Sequence, residues 1–189
     1  MYSVLNSKKY LLSHLELIPI CKQDMEKIRI WRNQQRNILR QNKIVTKKEQ
    51  ENYFNSIIKP GFKQKHPEMI LFSILEHSEC VGYGGLVHID WNSKRAEISF
   101  LTDPKRTKLN SEFQKDFKIF LEIILNIGFN EFSLNKLTTE TFTFRKNIIH
   151  ILERIGFVNE AILKDHVRKN NKYYDSLLHC IFKKEFNKK

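Results

Sequence analysis

Residues 94–129 read KRAEISFLTDPKRTKLNSEFQKDFKIFLEIILNIGF, and this stretch decides how the rest of the chain is arranged. Its first part alternates: Ala96, Ile98 and Phe100 are interleaved with Arg95, Glu97 and Ser99, the period of a strand with one buried face. Asp103-Pro104 interrupts it, because the residue before a proline is pushed away from helical geometry. Lys105-Arg106-Thr107-Lys108 follows as a basic loop. Phe113, Phe117, Phe120, Leu121, Ile124 and Ile127 then recur at the spacings of an apolar helical stripe. A strand running through a basic loop into a helix N-terminus is one way to hold a phosphate, since the helix end offers unpaired N–H groups and a partial positive charge. The same pattern also describes a strand, a turn and a core helix whose lysines face water.

Upstream, residues 14–20 (HLELIPI) read as a strand closed by Pro19, and Asp24 as the cap of a helix reaching about Asn33. Thr46 and Glu49 form a capping-box pattern that opens a second helix through Tyr53, Phe54 and Ile57, stopped by Lys59-Pro60-Gly61. Strands follow at 69–75 and 80–89, joined at His77-Ser78-Glu79; glycines 82, 84 and 85 in the second permit a bulge or a close backbone approach. Downstream, residues 136–142 read as a strand and 147–152 as a helix ending at Gly156, with two last strands at 161–168 and 173–182. The order β-α-α-β-β-β-α-β-α-β-β is mixed α/β, an antiparallel run followed by crossovers. The 189 residues suit one domain over 1–189, with 1–13 and 184–189 as peripheral ends.

The net charge of +12 points toward an anionic ligand. Its lysines are scattered, without a long basic block or an arginine-rich helix, so nucleic acid is a weak reading that rests on charge alone. No apolar run reaches membrane-spanning length and residues 1–17 lack a signal-peptide pattern, which gives the expectation of a cytoplasmic protein with no membrane partner. Cys21, Cys80 and Cys180 have no metal-ligand spacing, read as buried thiols in a reducing compartment, and no metal is expected.

Several pieces in order resemble the GNAT N-acetyltransferase superfamily. RAEISFLTDP is similar to the family's fourth strand entering its proline-containing turn, and RTKLNS occupies the place of the Q/R-x-x-G-x-G/A pyrophosphate loop. ILERIGFVNEAILKDHVRKNNKYYDSLLHCIF resembles the L-Y-E-K-L-G-F segment and the closing hairpin, and WRN with the VTKKEQ helix start resembles the subgroup acetylating nucleotide-linked amino sugars, close to the ribosomal-protein alanine acetyltransferases. The likeness spans about residues 14–183. It departs at the loop glycines, which are Leu109 and Ser111 here, at the general-acid tyrosine, which is Leu152, and at the helix-opening asparagine, which is Arg145.

The resemblance implies a GNAT-like, largely antiparallel central sheet with helices on both faces, and acetyl-CoA as acetyl donor. It implies that Phe100, Leu101 and Thr102 meet the pantetheine arm through their backbone, and that Arg106, Thr107, Lys108, Leu109, Asn110 and Ser111 hold the pyrophosphate. Amine acetylation needs a base to collect the amine's proton; Glu97 is the first candidate and His88 the second. With Leu152 in the tyrosine position, the thiolate leaves unprotonated or is helped by His150, Tyr173 or Tyr174. Trp31, Arg32 and Asn33 would border the acceptor, taken as the primary amine of an anionic, nucleotide-linked amino sugar. A polyamine or protein N-terminus, and a GNAT-fold binding module without catalysis, stand as alternatives, and a homodimer is left open.

Overall fold

The computed structural model describes residues 1–108 and 110–187, with Lys108 and Asn110 described through the backbone alone. Period-two alternation becomes sheet wherever the sequence shows it. The strands are β1 (Tyr10–Leu12), β2 (Leu15–Pro19), β3 (Ile70–Glu76), β4 (Glu79–Asp90), β5 (Arg95–Thr102), β6 (Lys136–Phe142), β7 (Val158–Lys169) and β8 (Lys172–Phe182). They form one sheet in the order β1-β2-β3-β4-β5-β6-β8-β7. Every neighbouring pair is antiparallel except β5 with β6, which are parallel and joined by a helical crossover.

The helices are α1 (Met25–Gln34), α2 (Lys47–Tyr53), α3 (Lys59–Gly61), α4 (Pro104–Lys108), α5 (Asn110–Asn126), α6 (Lys146–Ile155) and α7 (Lys183–Phe186). The capping box forms as expected: Thr46 Oγ1 accepts from Glu49 N, and Glu49 Oε2 accepts from Thr46 N at 2.8 Å. Asp24 precedes α1 without capping it, because its carboxylate accepts from Ser73 Oγ at 2.6 Å and from the Cys21 thiol. The second helix reaches Lys59-Pro60-Gly61 and ends there, as expected: the chain passes from α2 through one wider π-type turn, Phe54–Ile58, into α3, whose last residue is Gly61.

Helices cover both faces of the sheet. On one, Phe113, Phe117, Phe120, Leu121, Ile124 and Ile127 of the α5 region are buried against Leu17, Phe72, Leu86 and Ile98. The Phe100 ring of β5 lies 4.7 Å from that of Phe120 and 4.8 Å from that of Phe117. Fully burying a phenylalanine stabilises the fold by about 1.5–3 kcal/mol, so this cluster fixes α5 against β5. Gly84 sits under the contact, where an added Cβ would come within 2.7 Å of Phe120 Cζ. On the other face Ile28 and Trp31 of α1 and Phe54 and Ile58 pack on Leu71, Tyr83 and Leu101.

The start of the chain is not peripheral. Tyr2 is fully buried and Leu5 nearly so, and the Tyr2 hydroxyl accepts from Leu71 N at 3.1 Å. At the other end, Phe186 of α7 packs on Phe129. The three cysteines are free; Cys21 is only half-buried, whereas Cys80 and Cys180 are in the core. Among the described residues no helix is long and apolar enough to cross a membrane.

Candidate active site

β5 and β6 pair at only three positions, Arg95↔Lys136, Ala96↔Leu137 and Glu97↔Thr138. Beyond them β5 stays on β4 to Thr102↔Gly82 and β6 stays on β8 to Phe142↔Ser176, so the two strands diverge and each keeps one edge without a strand partner. The cleft that opens is lined by Glu97, Ser99 and Phe100 from β5, by Thr139 through Phe142 from β6, and by Phe117, Arg145 and Ile148 behind them. Residues 38–40, in the irregular segment after α1, close one side. A second lobe continues past Thr107 and Phe113 to Arg145, Lys146 and Asn147 at the start of α6.

Glu97 is the last residue of β5 paired with β6 and stands where the two strands part. Its Oε1 accepts from Arg40 Nη2. Arg40 Nη1 donates at 3.0 Å to Glu140 Oε2, from the strand opposite, so one guanidinium bridges two carboxylates across the opening. The Glu140 side chain is 8% exposed and its Oε1 is buried without a hydrogen-bond partner among the described residues; His166 Nε2 lies 3.7 Å away. A bulge in β4 between Val87 and Asp90, where His88 adopts φ 51°, turns His88 outward. Its ring nitrogen is 3.9 Å from Glu97 Oε2, so the two base candidates are neighbours, Glu97 in the cleft and His88 on its rim.

The cofactor end departs from expectation. Lys105–Lys108 is not a loop but most of α4, opened by Asp103, whose Oδ1 accepts from Lys105 N at 2.8 Å. Arg106 does not face the cleft. Its Nη1 donates to Glu76 at 2.7 Å and its Nε to Asp116 at 2.6 Å, and His14 Nε2 meets the same Asp116 at 2.8 Å. Burial works against the charge on Arg106, but the two carboxylates outweigh it and hold the guanidinium above its usual range. The expected phosphate ligand is thus a structural ion pair. Thr107 does line the second lobe, with its hydroxyl donating to Pro104 O at 2.9 Å, and Ser111 is exposed on the first turn of α5. Leu109 and the side chains of Lys108 and Asn110 lie outside the described residues. Leu101 and Thr102 are buried, and the Thr102 carbonyl is already taken by Gln35 Nε2 at 2.8 Å, which leaves the edge of β5 nearer Glu97 as the part open to a ligand.

Arg145 is one cation that the cleft offers, beside Arg40 in the first lobe and Lys146 in the second. It lines both lobes and no acidic partner is placed beside it among the described residues. Burial without such a partner pulls its guanidinium down to about 10. An anion brought to it would relieve that penalty.

The residues expected around the acceptor do not line this cleft; Arg32 lines a separate pocket with Tyr53 and Tyr83. Trp31 is 7% exposed in the second core. Arg32 donates to Tyr83 Oη at 2.6 Å and to Gln41 Oε1 at 3.1 Å, and Asn33 bonds both the N–H and the carbonyl of Val45, stitching the segment after α1 into place. The proposed acids also lie elsewhere. Leu152 is fully buried, His150 and Tyr173 are exposed, and Tyr174 packs on Phe144. Sequence reasoning missed Glu140, Arg40 and His166. Glu140 carried a usable signal, as the one acid in the threonine-rich run KLTTETF, whereas Arg40 sits in a segment without periodicity.

Comparison with protein-family models matches residues 18–178 to the acetyltransferase (GNAT) domain. Comparison with curated protein sequences finds no match. Among solved structures, a Vibrio cholerae spermidine N-acetyltransferase in complex with CoA and spermine superposes with a TM-score of 0.82 at 18% identity, over 93% of this chain and 99% of that one. The dodecameric structure of the Vibrio cholerae enzyme in an intermediate state gives 0.77 at 18% identity, over 93% and 97%. A putative acetyltransferase gives 0.71 at 13% identity, over 97% and 91%. At these identities the likeness shows a shared fold.

Proposed function

The chain belongs to the GNAT acetyltransferase family, and from that premise we propose that the amine it acetylates is a polycation, a polyamine first of all, rather than an anionic amino sugar. Acetyl-CoA is the donor; when bound, it supplies a thioester whose carbonyl carbon takes the amine's lone pair and whose thiolate leaves. The observation that carries the acceptor reading is the Glu97–Glu140 pair, two largely buried carboxylates on opposite sides of the cleft that already bind a cation between them. A nucleotide diphosphate would meet those carboxylates with like charge, and Arg32, its expected ligand, is occupied. The neighbour crystallised with spermine is consistent with the same choice.

The chain fits the donor. Diverging strand edges offer N–H and C=O groups to an extended arm, and Arg145 lacks an acid where a phosphate would be welcome. Phe117, Phe142 and Ile148 exclude water from the cleft. At the junction of the strands Glu97 accepts a proton from the bound ammonium and frees the lone pair, a service worth about 10²–10⁴-fold in rate. Glu140, from the opposite strand, holds the cation in line. Hydroxyls of Ser99, Thr139 and Thr141 line the cleft, with no tyrosine among the described lining residues. The nitrogen sheds one proton to Glu97 before attack and a second as the tetrahedral adduct collapses, and that second proton can pass to the departing thiolate. The overall charge of +12 favours approach of an anionic donor and disfavours a cationic acceptor, which is why the acceptor needs local carboxylates.

Release of free thiol from acetyl-CoA, measured with spermidine, a nucleotide-linked amino sugar and an alanine-terminated peptide in parallel, tests the reading. Turnover with spermidine alone is expected; turnover with the sugar nucleotide alone would overturn it. Self-association is part of the same reading, motivated by the dodecameric neighbour, and sedimentation measures it.

A further inference from the structure

We propose that Arg40 is a resident counter-ion of the acceptor site: its guanidinium keeps the place of the substrate's cationic nitrogen between Glu97 and Glu140 and swings out when the amine enters. This rests on the polycation reading and adds to it how the site is kept when empty and what an acceptor must displace.

Burial is unequal among the three partners. The Arg40 side chain is 52% exposed, whereas those of Glu97 and Glu140 are 19% and 8% exposed. The carboxylates are fixed on strands; the cation reaches them from the solvent side. Two such carboxylates without a cation would repel each other across a partly desolvated gap. A resident arginine removes that repulsion while the site is empty.

The backbone around Arg40 is held, so only the side chain has to move. Lys169 Nζ donates to Arg36 O at 3.1 Å and to Leu39 O at 2.7 Å on one side. On the other, Gln41 is fixed by Arg32 and donates to Asn33 Oδ1 and Lys43 O, each at 2.8 Å. A rotamer change of a half-exposed arginine is a fast local motion that asks nothing of the fold. The guanidinium uses one oxygen of each carboxylate and leaves Glu140 Oε1 without a hydrogen-bond partner among the described residues, an acceptor still open to an incoming ammonium. His88 and His166 flank the pair at 3.9 and 3.7 Å and are the other groups that face it.

The test uses the full chain and two probes, methylguanidinium and spermidine, titrated calorimetrically into wild type, Arg40→Gln and Arg40→Gln/Glu140→Gln. Methylguanidinium is expected to bind Arg40→Gln about tenfold more tightly than wild type, and the double variant is expected to lose that gain. In turnover, KM for spermidine falls in Arg40→Gln while KM for acetyl-CoA stays. Equal methylguanidinium affinity in wild type and Arg40→Gln, or a rise in the amine's KM, overturns the proposal. If Arg40→Gln does not fold, Arg40→Met, which removes the charge and keeps an apolar stem of similar length, is read by the same criteria. Should Arg40→Gln gain methylguanidinium binding while no form of the protein acetylates spermidine, the polycation reading fails and the counter-ion role stands.

Discussion

Two clusters in this molecule are built to one recipe and behave oppositely. Each places an arginine between two carboxylates with histidine nearby: Arg106 between Glu76 and Asp116 beside His14, and Arg40 between Glu97 and Glu140 beside His88 and His166. In the first, the arginine is 14% exposed and Asp116 2%, and α4, α5 and β3 are tied together. In the second, the arginine is the exposed partner and the carboxylates line a cleft. Composition does not separate an ion pair tied into the scaffold from one that lines a cleft. What separates them is which partner solvent can reach.

The hardest way to break that comparison is Arg106→Ala. It takes one of the two partners from the buried Asp116 and leaves it with His14, and a loss of about 3 kcal/mol, the low end for a broken buried pair, is expected in chemical denaturation. Unchanged stability with collapsed acetyl-CoA affinity would return Arg106 to the phosphate and erase the contrast. The cluster also has a pH signature. Arg106 holds the Glu76 carboxyl below its usual range, so its contribution is complete above about pH 4.3, the unfolded value, and is lost as pH falls through the lower folded value. Denaturation midpoints measured down the acid limb should show this slope in wild type and lack it in Arg106→Ala.

Glu97→Gln should do the reverse, lowering kcat by about 100-fold with little change in stability or in acetyl-CoA affinity. A kcat that does not move makes Glu97 a partner for Arg40 and nothing more. Arg145→Gln is expected to weaken acetyl-CoA binding about tenfold, read by calorimetry. Its folded value is depressed, so the free fold disfavours the charge and a neutral side chain should raise Tm of the free protein by a few degrees. Loss of both affinity and stability would mark Arg145 as structural. The smallest effect belongs to Arg40→Gln, for which denaturation should show a change within about 1 kcal/mol, as for other half-exposed ion pairs.

The sheet and the long helix were legible because burial of one face leaves a period in the sequence, as in Ala96, Ile98 and Phe100 or in the phenylalanines of α5. α4 was written there as well. Asp103-Pro104 ends β5, as its residues imply, and it is also a cap followed by a first-turn proline, so a helix stands where the basic run Lys105–Lys108 reads as a loop. The role of Arg106 was not legible, since its partners come from ten residues downstream and from a strand thirty residues upstream, and only the fold brings them together. Glu97 was found through its strand, but Glu140 acquires meaning only when β6 is laid parallel to β5. Tyr2 and Leu5 lie in the core without any period to announce them.

Diverging strands also create a hazard. Each open edge is a template onto which a stray extended peptide could zip, the route by which sheets recruit unwanted neighbours. Ile38, Leu39 and Arg40 lie across the mouth of this gap, and their segment is moored to β7 by Lys169 and to α1 by Arg32 and Asn33. The mooring keeps that segment over the open edges, so the gap between the strands is partly covered by the chain itself.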